Sequence, residues 1–203
     1  MANYNYTRVY DSTYGHYDTD TVCDGYNNLI TIITETLTEY EFSLSANDTL
    51  LSIISEGTLT NDDENTLDGI VVAYKAAYET RLLDYFKHRK IAEIKLKNTE
   101  VLEVTGFEYP PTSGQYFDLQ LYSKSAWVGM SVADFYEFLT YPQPVRTIDD
   151  VVYNIDSSTS LAYFYAYGLA RQKYIFDSSA TLITSVLACE TVEAVLAIVD
   201  DRT

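Results

Sequence analysis

The sequence predicts an α+β protein with an N-terminal extended arm, a small αβ module containing a long helix, and a C-terminal domain of short strands followed by helices. Three observations carry this. A capped run with helical spacing starts at Thr60; apolar and polar residues alternate from Ile91 to Val104 and again from Tyr116 to Leu121; the last fifty residues hold three helical stripes. At 203 residues the chain can bury the larger part of its surface as one domain or as two small ones. The expected divisions are an arm at 1–28, a module at 29–104 and a domain at 105–203.

The first 28 residues have no helical period and are rich in Tyr, Asp, Thr, Asn and Gly. Such a segment cannot supply a core, so it reads as an arm held by something else. Its handles are tyrosines: Tyr4, Tyr6, Tyr10, Tyr14, Tyr17 and Tyr26. Tyrosine suits contact surfaces, being apolar on its face and polar at its tip, but it also suits half-buried strand positions, and the chain has 20 of them. In Leu29 to Leu37 the β-branched residues favour a strand, whereas Leu29, Ile32, Ile33 and Leu37 share a helical face, and helix is the preferred reading. Two short runs, Glu41 to Leu44 and Thr49 to Ile54, flank Ala46-Asn47-Asp48 as a hairpin.

The clearest helix opens at Thr60-Asn61-Asp62-Asp63-Glu64. Thr60 or Asn61 can cap its amides, Asp63 or Glu64 falls at the capping-box position, and the acids complement the dipole. Its stripe runs from Leu67 through Val71, Tyr74 and Leu82 to Phe86, and Lys87, His88, Arg89 and Lys90 are expected at its negative end. Ile91 to Val104 then reads as a strand pair turning at Lys97-Asn98-Thr99-Glu100. Beyond Pro110 and Pro111 a strand is expected from Tyr116 to Leu121. A short helix capped by Ser131 should end at Leu139, before Pro142 and Pro144, with a strand near Val151 to Ile155. Three consecutive helices are expected to close the chain, on the stripes Leu161 to Ile175, Leu182 to Leu187 and Val192 to Val199.

Composition narrows function. With 13 Lys+Arg against 30 Asp+Glu the net charge of −17 repels a phosphate backbone, so no nucleic-acid partner is expected. No apolar run is long enough to cross a bilayer, so no membrane partner is expected either. The N-terminus lacks a basic cap and an apolar segment, which reads as a chain that starts as mature protein. Charge is segregated. Residues 1–74 carry 13 acids and only Arg8, whereas residues 75–97 carry seven bases and three acids. The basic segment is either the solvated end of a helix or a patch that docks on acids of a neighbour.

Catalytic chemistry has few candidates. Only His16 and His88 could serve as a nucleophile's base, and neither is near a nucleophile elbow. Cys23 and Cys189 stand apart as free thiols, there is no Cys/His cluster, and the eight glycines form no phosphate loop. Asp18, Asp20 and Asp24 open like a calcium loop, but Val22, Cys23 and Leu29 occupy ligand and glycine positions. Asp149-Asp150 and Asp200-Asp201 are adjacent pairs whose members point apart on a regular element. No catalytic residue, cofactor or metal is therefore assigned.

Two stretches carry a resemblance. Asn28 to Tyr74, with LITIITETL, LLSIIS and GTLTNDDENTLDGIVVAYK, resembles a module of small virion proteins of tailed phages. Thr105 to Asp200, with TGFEY, YFDLQLYSKSAWVGM, TYPQPVRTIDDVVYNI and ETVEAVLAIVDD, is similar to a domain of unknown function in phage tail-fibre and tail-associated proteins. Tyr74 stands where His is commoner in the family, and Lys124 and Ser125 near where Gln and Asn are. The resemblance implies a non-enzymatic virion component in the tail, neck or fibre attachment, made in the host cytoplasm, present in several copies and bound to other virion proteins. The expected interface residues are Tyr4, Tyr6, Tyr10, Tyr14, Tyr17, Lys87, Arg89, Lys90 and Trp127, and deletion of the arm is expected to leave the rest folded. The alternative is a carbohydrate-recognition module of a tail fibre, stacking sugars in an aromatic cleft around Trp127, Tyr116 and Tyr122.

Overall fold

The computed structural model describes residues 1–18 and 29–203, with helices and small antiparallel sheets in an α+β arrangement. The described chain falls into two compact units, Met1–His88 with Glu190–Val192 and Arg89–Cys189 with Glu193–Thr203.

The first unit is built on a three-stranded antiparallel sheet. Strand β1 (Ala2–Thr7) pairs with β5 (Leu50–Ser55), and β5 pairs on its other side with β4 (Phe42–Ala46), giving the order β1-β5-β4. The arm expectation is thereby corrected. Residues 2–7 match β5 from Ala2 opposite Ser55 to Thr7 opposite Leu50, and their alternation turns Tyr4 and Tyr6 onto the core. A segment without a core of its own is held by β5's backbone and by the apolar face it completes. Beyond it, β2 (Tyr10–Asp11) and β3 (His16–Tyr17) form a small ribbon.

The β4–β5 hairpin forms at the expected turn because the Asn47 side chain accepts from the backbone N–H groups of Thr49 (2.9 Å) and Leu50 (2.8 Å). Helix α1 (Leu29–Thr36) confirms the helical reading of LITIITETL, burying Leu29 and Ile33 on one face. Helix α2 (Asn61–Ala76) starts at the expected cap. The Asp63 N–H donates to Thr60 Oγ1 at 3.3 Å, and that hydroxyl donates to Asp63 Oδ2 at 2.6 Å. Leu67, Val71 and Tyr74 close the core over Leu51 and Ile53.

Helix α3 (Tyr78–Glu100) follows Ala77 and runs into a π-helical turn, Val101–Thr105. This corrects the strand pair expected at 91–104. Ile94 and Val101, seven residues and two helical turns apart, are fully buried, whereas Leu96 is 73% exposed; alternation would have placed Ile94 and Leu96 on one face. The basic residues 87–90 therefore sit within a helix and not at its end.

In the second unit β6 (Phe107–Glu108) pairs with β7 (Tyr116–Phe117), and β8 (Gln143–Arg146) with β9 (Val152–Ile155). The strand expected at 116–121 stops at Phe117. Helix α4 (Leu121–Phe135) takes up the residues beyond Gln120, so Ser131 lies inside it and caps nothing. Strand β8 holds Pro144, whose missing N–H is harmless in a two-stranded ribbon. Helix α5 (Ser158–Ala188) is one 31-residue helix where two were expected, and α6 (Val192–Leu196) follows. The polar run Asp177-Ser178-Ser179 does not break α5. Ser178 Oγ donates to the Ile175 carbonyl (3.0 Å) and Thr181 Oγ1 to that of Asp177 (2.9 Å), so the hydroxyls are satisfied on the helix itself.

The core of this unit is aromatic. Phe107, Phe117, Trp127 and Phe164 meet edge-on or tilted with centroids 4.9–5.7 Å apart. Two glycines allow it. Gly106 has φ +57°, and a Cβ there would fall 1.9 Å from the Phe117 carbonyl oxygen; a Cβ on Gly168 would lie 3.3 Å from the Phe107 ring.

Candidate interaction surfaces

The tyrosines expected to grip a partner are for the most part engaged within the first unit. Tyr4 OH accepts from the Leu59 N–H at 3.1 Å, and Tyr6 OH donates to Asp68 Oδ1 at 2.8 Å, both rings packing on the core. Tyr14 lies half-buried with its ring 5.6 Å from that of Phe86. The Arg8 guanidinium lies 3.9 Å over the ring of Tyr17, which also contacts Tyr10 at 4.9 Å, and only Tyr10 of the five stays exposed, at 53%. These rings fill half-buried positions of a sheet and a ribbon, the other reading that tyrosine allowed.

Phenols and carboxylates pair repeatedly in this acid-rich chain. Besides Tyr6 with Asp68, Tyr40 OH donates to Asp63 Oδ2 (2.8 Å) in the first unit and Tyr141 OH to Asp134 Oδ1 (2.8 Å) in the second. Burial, reinforced by the acceptor carboxylate, raises the Tyr6 phenol well above its ordinary range and pushes Tyr141 up to about 12. The Tyr40 phenol is raised chiefly by its hydrogen bond to Asp63, and the Asp63 carboxyl is lowered chiefly by the Thr60 hydroxyl and then by Tyr40.

The basic residues are engaged along their own helix. Arg89 pairs with Glu93 at 3.3 Å and Lys90 with the same carboxylate at 3.6 Å, while Lys87 is half-buried. Trp127, placed on an interface by the sequence reading, is a core residue instead. It is 6% exposed and packed edge-on against Phe107 and Phe164. Tyr116 is 41% exposed and stands apart from that cluster, and the Tyr122 side chain lies outside the described residues.

Asp18 accepts from the Val9 N–H at 3.0 Å and pairs with Lys75 at 3.3 Å; Asp20, Asp24 and Cys23 lie outside the described residues. Among the described residues no group of three His, Cys, Asp or Glu could hold a metal ion, and no helix is long and apolar enough to cross a membrane. His16 sits edge-on to Tyr85 at 6.1 Å and His88 is exposed. Cys189 is a half-buried free thiol.

The surface the sequence reading missed is in the second unit. At the end of α4, Phe135 and Phe138 are 80% and 81% exposed, with Tyr136 stacked on Phe138 at 6.1 Å. Val128 and Val132 continue this face along α4. Beside it lies an open groove of about 710 Å³, lined by Phe135, Leu139, Leu161, Ala162, Tyr165 and Asp134. Asp134 accepts from Tyr141 and from Ser158 Oγ (2.5 Å), and so ties the end of α4 to the first residue of α5. The two hydroxyls donating to one carboxylate fix the positions of these elements. Exposure of Leu169 and Phe176 extends the apolar surface along α5. One sequence signal could have found it: the buried stripe Leu161, Phe164, Gly168 and Ile175 already accounts for one side of α5, leaving Leu169, Phe176 and Ile183 as a surplus second stripe. No protein-family model, curated protein or solved structure matches this chain.

Proposed function

We propose that this chain is a non-enzymatic structural protein of a tailed-virus particle, a tail, neck or fibre-attachment component that works in several copies through protein–protein contacts. The observation that carries the assembly part is the apolar surface at the end of α4, where Phe135 and Phe138 stand four-fifths in solvent. Soluble monomers rarely expose a contiguous aromatic patch, and buried aromatic anchors dominate the energetics of interfaces. The particle setting draws its support from the resemblance of residues 28–74 and 105–200 to phage virion modules. The grip assigned by sequence to the N-terminal tyrosines moves in this reading to α4 and α5. A carbohydrate-stacking role has less support, because Trp127 is enclosed by Phe107 and Phe164.

Mass spectrometry of purified particles tests the proposal: the chain is expected at stoichiometric abundance. Phe135→Ser/Phe138→Ser, which alters only exposed side chains, is expected to leave the fold intact and abolish incorporation. Particles that lack the wild-type chain, or that take up the double variant normally, would refute it.

A further inference from the structure

Helix α5 carries more apolar surface than its own unit covers. Its buried side is Leu161, Phe164, Gly168, Ile175, Ser179 and Val186. A second stripe runs beside it through Tyr165, Leu169, Phe176, Ile183 and Leu187, with Leu169 48%, Phe176 47% and Leu187 58% exposed. With Gln172 and Ala180 filling the intervening turns, the steps along this stripe are 4, 3, 4, 4, 3 and 4 residues, two 11-residue repeats that keep one face of a nearly straight helix toward a partner over about six turns.

That spacing reads the same in both directions from Phe176. A two-fold axis at Phe176 would set Leu169 opposite Ile183, Gln172 opposite Ala180 and Tyr165 opposite Leu187, each pair occurring twice, as an isologous contact demands. Charge agrees. Arg171, Lys173 and Asp177 are the charged residues of α5, and Lys173 and Asp177 lie on one flank of the stripe, 2.5 Å apart and largely exposed. Antiparallel helices bring like flanks together, so Lys173 of one copy would lie within about two residues, ~3 Å along the axis, of Asp177 of the other. In a parallel pair unlike flanks meet, so Lys173 would have no Asp177 across the seam.

We infer that α5 is a self-pairing helix: two copies of this chain associate antiparallel through the stripe centred on Phe176. The occupant is a second copy, because a seam whose spacing is symmetric about Phe176 and whose charged flank carries both signs is complementary to itself. The pairing rests on the several-copies part of the function proposed above and supplies its geometry. The apolar seam provides the affinity, and the crossed Lys173–Asp177 pairs set register and direction.

Sedimentation equilibrium of the purified full chain is expected to show a reversible dimer. Phe176→Asp, present twice in a two-fold interface, should weaken it on the order of 100-fold or more with helix content unchanged. Lys173→Asp should weaken the dimer, and Lys173→Asp/Asp177→Lys should restore it, a readout that holds even where Phe176→Asp fails to fold. In a chain with Cys23 and Cys189 changed to Ser, Phe176→Cys should oxidise to a self-linked dimer, whereas Leu169→Cys should cross-link only when mixed with Ile183→Cys. A monomer at every concentration, a dimer indifferent to Phe176→Asp and to the Lys173 and Asp177 exchanges, or Leu169→Cys linking to itself as readily as to Ile183→Cys would overturn the inference. Absence from particles, by contrast, bears on the particle reading alone.

Discussion

Arg202 shows what a single side chain does in this protein. It is the only charged residue among the described ones that is buried, at 5% exposure. Its guanidinium donates to the carbonyls of Ile94 (3.0 Å) and Ile175 (3.2 Å), to Asn98 Oδ1 and to both oxygens of Asp200, while Asn98 Nδ2 donates to Ser179 Oγ at 3.0 Å. Arg202→Met removes every donor at once and strands the Asp200 carboxylate, so a loss of about 3 kcal/mol is expected in urea unfolding followed through the second unit. The hydrogen bond from Arg202 also holds the Asp200 carboxyl below its ordinary range. The sign follows from that depression: the contribution is whole above the unfolded carboxylate value near 4 and is lost as pH falls through the lower folded value. The acid limb of a stability–pH curve should therefore flatten in Asp200→Asn. Gly106→Ala is expected to be worse tolerated than any surface change, since its Cβ would meet the Phe117 carbonyl at 1.9 Å with φ at +57°. Thr60 and Asp63 could be read from sequence because a cap depends on side-chain type and a three-residue spacing; the core place of Trp127 could not, because it depends on rings 20 and 37 residues away, Phe107 and Phe164.

At the scale of elements, the strand Ala2–Thr7 changes the meaning of the N-terminus. Deleting residues 1–7 removes one of three strands and strips Tyr4 and Tyr6 from the core, so the remainder should lose cooperative unfolding of its sheet and protection of the β5 amides in hydrogen exchange. A truncated chain with native β5 protection would restore the detachable arm. Short-range elements were legible where local chemistry decides them: α1 by its helical face, the β4–β5 hairpin by Asn47, and α2 by Thr60. Alternation misled at 91–104, where IAEIKLK fits both periods over seven residues and only the partners of Ile94 and Val101 choose between them. The same holds for α5, whose continuity past Asp177-Ser178-Ser179 rests on hydroxyls bonding to the helix's own carbonyls.

For the whole molecule, a net charge of −17 sets the response to solution conditions. Like charges repel in the compact state, so added salt is expected to raise the thermal midpoint, and a midpoint that falls with salt would show that attractive pairs dominate. Tyrosines relieve part of the excess by donating to acids, and that tie has its own pH window. The raised phenols of Tyr6 and Tyr141 stabilise the fold fully below the ordinary tyrosine value near 10, and their contribution is lost as pH rises from there through the folded values. Alkaline titration of absorbance should therefore show phenols that ionise only on unfolding, and Tyr6→Phe should remove part of the alkaline transition of the first unit.

The sequence by itself determined the α+β class, the Thr60 cap, the turn at Asn47, the acidic balance and the identity of most apolar stripes, because each depends on neighbours within a few residues along the chain. Tertiary structure alone decided which tyrosines are covered, that residues 2–7 are a strand, that Trp127 faces inward and that α4 and α5 keep an apolar side outward. Those outcomes depend on which faces find a partner, and a face's partner lies tens of residues away, where one-dimensional pattern holds no distance.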